Sequence, residues 1–91
     1  MSEEKKEHDK KVDLVMVVNG ASNELSFSLN QKMQGVVEKT LEATGNAGQP
    51  LENWELRDID GNLLNLDKHL RDYGFQDGTK LFLNPKAGIG G

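Results

Sequence analysis

The period of the hydrophobic residues changes along this chain from two to that of a helix and back, and this limits the available folds more than any other feature. Val12, Leu14, Met16 and Val18 fall on one face of an extended segment, with Asp13, Val15, Val17 and Asn19 on the other. Residues 20–23 form an expected turn, after which Leu25, Phe27 and Leu29 alternate with Glu24, Ser26, Ser28 and Asn30. The two segments predict a hairpin with one apolar face. Over residues 31–44 the spacing becomes helical: Met33, Val37 and Leu41 recur every four residues, with Val36 and Thr40 beside them. Gly45 supplies the stop, and Gly35 inside the helix costs about 1 kcal/mol relative to alanine. The helix must therefore lean on tertiary packing.

The period of two then returns. Residues 54–58 predict a third, half-buried strand in which Trp54 is a core or rim aromatic, after a loop over residues 46–53. A turn at Asp60-Gly61 leads to a short strand around Leu63-Leu64, and residues 67–73 predict a short helical turn. Asp77-Gly78 turns the chain into a last strand over residues 79–83, which Pro85 ends. One helix and strands with a single apolar face each are satisfied by one sheet with the helix packed across it. The first and last strands carry the most apolar character and belong side by side in the middle. The expectation is an α+β fold of β-grasp type, a mixed sheet of four to five strands packed on one helix.

Composition narrows the function. Ninety-one residues, 35% hydrophobic and 29% charged, make one small domain. There is no cysteine, so neither disulfides nor thiolate metal sites can supplement the core. A formal charge of −4 opposes nucleic-acid binding and gives no basic face for a membrane surface. The longest apolar run covers residues 14–18, far below the roughly 20 residues of a membrane helix. The N-terminus is charged where a signal peptide would be apolar, and a cytoplasmic monomer is expected. Residues 1–10 lack apolar periodicity and are expected to be a disordered tail, residues 11–84 the domain, and residues 85–91 a flexible C-terminal tail.

The C-terminal third carries a resemblance. Leu70-Arg71-Asp72-Tyr73-Gly74-Phe75-Gln76, followed by Thr79-Lys80-Leu81-Phe82-Leu83, is similar to the Leu-Ser-Asp-Tyr-Asn-Ile-Gln segment of ubiquitin and the strand after it. The end in Gly90-Gly91 matches as well. Within the family, the chain most resembles the ubiquitin-like proteins of bacterial operons that also encode activating, conjugating and deubiquitinase-like enzymes. The resemblance implies a braced loop at Tyr73, activating and conjugating enzymes as partners, target proteins and a deconjugating peptidase. It implies no bound cofactor, ATP being used by the activating enzyme.

Two departures qualify it. The partner patch of ubiquitin centres on an exposed apolar residue of the third strand, where this chain offers Glu55, Arg57 or Asp58. The tail has Lys86-Ala87-Gly88-Ile89 before the glycines instead of two arginines. Both features argue against cross-recognition by the readers and activating enzymes of eukaryotic ubiquitin.

Carboxylates are poor electrophiles, and joining one to an amine requires an acyl adenylate and usually a thioester on an enzyme cysteine. A terminus that must thread a narrow channel needs small residues near the reacting carbon, which accounts for Gly90-Gly91. At average glycine usage two terminal glycines occur by chance in about one chain in two hundred, so the pair gains meaning only with the fold and the Tyr73 region. From Asn84 the remaining residues extend roughly 23 Å. Lys86, Ala87, Gly88 and Ile89 are the expected contacts with the activating enzyme.

Other constellations are weaker. Residues 58–62 lack the third ligand and later glutamate of a calcium loop and fit a hairpin turn. His8 and His69 have no partner at metal-ligand spacing, so no metal site is expected, and the serines lack a nucleophile-elbow context. No catalytic residue is expected. If the first and last strands are neighbours, Val15, Val17 and Phe82 form an apolar patch facing away from the helix, a candidate partner surface. Lys32 and Lys39, among Glu38 and Glu42 on a solvated helix face, are candidate acceptor lysines. Three functions remain open: a protein modifier, a sulfur carrier that forms a C-terminal thiocarboxylate, and a β-grasp interaction module that is never conjugated.

Overall fold

The computed structural model describes residues 10–86. Alternation of apolar residues produces β1 (Lys11–Val18), whose Val12, Leu14, Met16 and Val18 are all buried. It folds back through Asn19-Gly20 into β2 (Ala21–Ser28). Both turn residues have positive φ, 51° and 89°, the pair of values that a two-residue hairpin turn of the right twist demands. The turn is thus shorter than expected over 20–23, and Ala21, Ser22 and Asn23 are strand residues paired with Val18, Val17 and Met16.

The helix α1 (Met33–Ala43) buries Met33, Val36, Val37, Thr40 and Leu41, the whole expected stripe. It starts two residues later than its apolar spacing suggests. A pairing with residues 68–70 sets the entry: the Gln31 carbonyl accepts the Leu70 N–H at 3.0 Å beside the bridge of Lys32 to His69, and the Lys32 carbonyl accepts the first helical N–H groups, those of Gly35 and Val36, at 2.9 and 3.3 Å. No side chain caps the first turn. The N–H groups of Met33 and Gln34 donate instead to the carbonyls of Lys68 and Leu66, at 2.7 and 3.0 Å. At the far end Gly45, with φ 80°, lets the Asn46 N–H return to the Leu41 carbonyl at 2.7 Å and closes the helix.

A single 3₁₀ turn (Leu51–Asn53) precedes β3 (Trp54–Arg57), and a second (Leu70–Asp72), narrower than the expected helical turn over 67–73, precedes β4 (Thr79–Pro85). The sheet has four strands in the order β2-β1-β4-β3. β1 and β4 run parallel in its centre, from Leu14 beside Thr79 to Val18 beside Leu83, with antiparallel pairs outside them. The fifth strand at Leu63-Leu64 is reduced to one bridge between Arg57 and Leu63 and a bond from the Leu64 N–H to the Leu56 carbonyl. Beyond it the chain leaves the sheet, and the Asn65 N–H donates to the phenolic oxygen of Tyr73 at 2.7 Å.

One face of the sheet and α1 enclose the core. Leu14, Met16, Leu81 and Leu83 of the central strands, Leu56 of β3, Phe27 of β2 and Leu70 meet the helix stripe there. Trp54 joins the same cluster and is buried. Thr40, the buried polar residue of the core, donates its hydroxyl to the Val36 carbonyl at 2.7 Å.

Candidate functional site

The centre of the sheet determines where the C-terminal segment starts. β4 keeps its pairing to its end: Pro85 stands beside Trp54, and the Lys86 N–H donates to the Asn53 carbonyl at 2.9 Å. The chain is thus anchored through Lys86. Ala87, Gly88, Ile89, Gly90 and Gly91, the remaining expected contact and conjugation residues, lie outside the described residues, as do residues 1–9. Lys10, expected in the N-terminal tail, accepts the Leu29 N–H on its carbonyl at 3.0 Å.

On the sheet face away from α1, Val17 stands beside Phe82, with Ser22 on one flank and Arg57 on the other. Val15 lies between Glu24 and Lys80 in the next row. All three expected patch residues are half-buried, so the face is an apolar strip two strands wide with charged borders. Arg57 is held in place beside it: its Nε donates to Glu55 at 3.0 Å and its Nη1 to the Gly61 carbonyl at 2.7 Å. The strip thus ends on a fixed guanidinium beside the Phe82 ring.

The candidate acceptor lysines differ. The Lys39 ammonium sits 5.3 Å from the centre of the Phe27 ring and donates to the Ser26 carbonyl at 3.1 Å, so its side chain lies along the domain surface. Lys32 is exposed at the helix entry.

The turn after β3 is organised by Asp58. One carboxylate oxygen accepts the N–H groups of Asp60 and Asn62, at 3.0 and 2.9 Å, and the other accepts the Asn62 side-chain amide. The backbone N–H of Asn62 is the largest of the influences that hold this carboxyl below its ordinary value of 3.8. With both oxygens engaged in the turn, the residues serve as hairpin chemistry. Among the described residues no group of three histidine, cysteine or acidic side chains is placed to hold a metal ion. His69 and Asp72 cap the 3₁₀ turn reciprocally, the His69 N–H donating to Asp72 at 3.0 Å.

Two features were not foreseen in the sequence. Among the described residues, Ile59 and Leu63 are the exposed large hydrophobic ones, 70% and 62% accessible. Beside Lys86 lies a groove of about 120 Å³, lined by Trp54, Leu56, Leu63, Leu64 and Leu66 with Glu55. The signal available was the pair Leu63-Leu64, since two consecutive leucines on an extended segment must face opposite ways. Among the described residues no helix is long and apolar enough to cross a membrane.

Comparison with known proteins agrees with this architecture. The family described as Protein of Unknown function (DUF2604) matches residues 7–91. An uncharacterized protein of Sinorhizobium fredii, y4jI, is 43% identical over 81 residues, which are 89% of this chain and 62% of that protein. The chain therefore spans somewhat under two thirds of that relative. Among solved structures, the ubiquitin of Caldiarchaeum subterraneum superposes with a TM-score of 0.71 at 23% identity, covering 89% of this chain and 99% of that one. A designed protein based on ubiquitin gives the same TM-score of 0.71 at 18% identity, over 89% and 95% of the two chains. At these identities the likeness shows the fold: a ubiquitin-like β-grasp.

Proposed function

This chain belongs to the family described as Protein of Unknown function (DUF2604), and we propose that its ubiquitin-like domain is a protein modifier, conjugated through the carboxylate of Gly91 to lysine amines of target proteins. The observation that carries this reading is the position of β4. A strand held on both sides in the middle of the sheet leads, after Lys86, into the five residues Ala87-Gly88-Ile89-Gly90-Gly91. Fully extended, those residues span about 17 Å. The domain would thus present Gly91 at a distance from its own surface while remaining firmly anchored.

The chemistry demands little of the modifier itself. The Gly91 carboxylate attacks the α-phosphate of ATP and releases pyrophosphate, giving an acyl adenylate on the activating enzyme. A cysteine thiolate of that enzyme then displaces AMP and forms a thioester, and a lysine amine finally attacks the thioester carbonyl. The isopeptide bond forms as the thiolate leaves. Glycines at the reacting end keep the carbonyl open to each attack. Gly91 serves equally whether it is the native terminus or is exposed by cleavage after it. Readers of the conjugate would meet the strip of Val15, Val17 and Phe82.

The test is intact-mass and peptide analysis of a tagged form in the native host, comparing the wild-type chain with one lacking Gly90-Gly91. Higher-mass adducts that require the two glycines and leave a glycine remnant on lysine support the modifier. A lone gain of about 16 Da, sulfur replacing oxygen at the carboxylate, makes the protein a sulfur carrier instead. Identical spectra for both forms reduce it to an interaction module.

A further inference from the structure

The groove beside Lys86 and the outer strip of β1 and β4 are different surfaces. The strip faces away from α1, whereas the groove is built largely from the core side of β3: Trp54, Leu56 and Leu64, which line it, are buried members of the core cluster. Leu63 stands at this groove largely in solvent, 62% accessible. It is turned out because Leu64 is turned in, its N–H donating to the Leu56 carbonyl at 2.8 Å. An exposed leucine next to a concave apolar floor offers apolar surface that another molecule can cover.

What covers it follows from where the chain goes. Lys86 lines the groove, and the five residues that follow it reach at most about 17 Å. An active site that takes the Gly91 carboxylate must lie within that distance of Lys86. The body of such an enzyme then lies close to the surface around Lys86, to which this groove belongs. Lys86 also enters no ion pair among the described residues, whereas Glu55 is engaged by Arg57. It offers an unmatched positive charge beside an apolar recess. The geometry points to the groove as the docking site of the ATP-dependent enzyme that activates Gly91, which places an apolar side chain over Leu63 and Trp54 and an acidic one against Lys86.

This inference rests on the modifier reading, and its test separates the two. The tagged full chain is expressed in the native host, and adducts are scored before and after thiol treatment. Thiol-sensitive adducts report the thioester on the activating or conjugating enzyme; resistant ones report the isopeptide. Leu63→Asp and, independently, Lys86→Glu should each lower both classes about tenfold, while Leu63→Met retains them. Both altered residues are solvent-exposed, so the thermal midpoint should hold. Ile59→Asp, at an equally exposed leucine-sized residue outside the groove, should leave both classes unchanged. Thiol-sensitive adducts at wild-type level in Leu63→Asp and Lys86→Glu overturn the groove while the modifier reading stands, as does an equal loss in Ile59→Asp. Absence of both classes in the wild type removes the modifier reading and the groove with it.

Discussion

Tyr73 accepts the Asn65 N–H on its phenolic oxygen and stacks on Phe75 with 5.3 Å between ring centroids. Removing the hydroxyl in Tyr73→Phe leaves that N–H without its partner but keeps the stack. Stability should fall by about 0.5–1.5 kcal/mol, measured as a lower urea midpoint with an unchanged m-value. Asp58 is the residue where pH matters. Its carboxyl is held below 3.8, first by the Asn62 backbone N–H, so its folded value is depressed relative to the unfolded chain. The stabilisation is present above the unfolded value and is lost as pH falls through the folded one. Melting curves between about pH 5 and pH 2 should therefore show a shallower acid limb for Asp58→Asn than for the wild type. The role of Tyr73 was legible through the family resemblance, and the hairpin role of Asp58 through its Asp-Gly turn. The exposure of Leu63 was not, because alternation gives a residue's face only once its strand and partner are known.

At the scale of elements, local chemistry and tertiary pairing explain which boundaries could be anticipated. The helix stop at Gly45 is local, and the sequence carries it. The helix start is not: it is fixed by backbone bonds that join Gln31 to Leu70 and Met33 to Lys68, a pairing that no window around them encodes. The hairpin turn was legible in principle, since Asn19-Gly20 is a strong two-residue signal, although the polar run that follows extends it misleadingly. Helix α1 contains a correctable weakness. A Cβ at Gly35 would meet only the Gln31 side chain, its amide nitrogen at 2.8 Å and its Cγ at 3.3 Å, a half-buried flexible group that must turn aside. Gly35→Ala should therefore raise stability, by up to about 1 kcal/mol, read as a higher denaturant midpoint. By contrast, Leu81→Ala in the fully buried centre of β4 should cost roughly 2–5 kcal/mol by the same measurement.

For the whole molecule, the β-grasp architecture was readable because its two periods and their order leave few arrangements. Of the candidate surfaces, the alternation that places Val15, Val17 and Phe82 together was readable, whereas Gly90 and Gly91 lie outside the described residues. The groove required the third dimension, since Trp54, Leu63 and Lys86 are far apart in the chain. Phe82→Ala distinguishes the two roles its half-buried ring could have. A thermal midpoint close to wild type with weakened capture by conjugate-reading proteins marks a surface residue, whereas a fall of many degrees marks a structural one. The parallel pairing of β1 and β4 has a mechanical consequence. A pull between Lys11 and Pro85 acts at opposite ends of two strands running the same way, so it loads their hydrogen bonds together in shear instead of parting them one by one. Force applied between those two ends would have to break the bonds between β1 and β4 together before the two strands part.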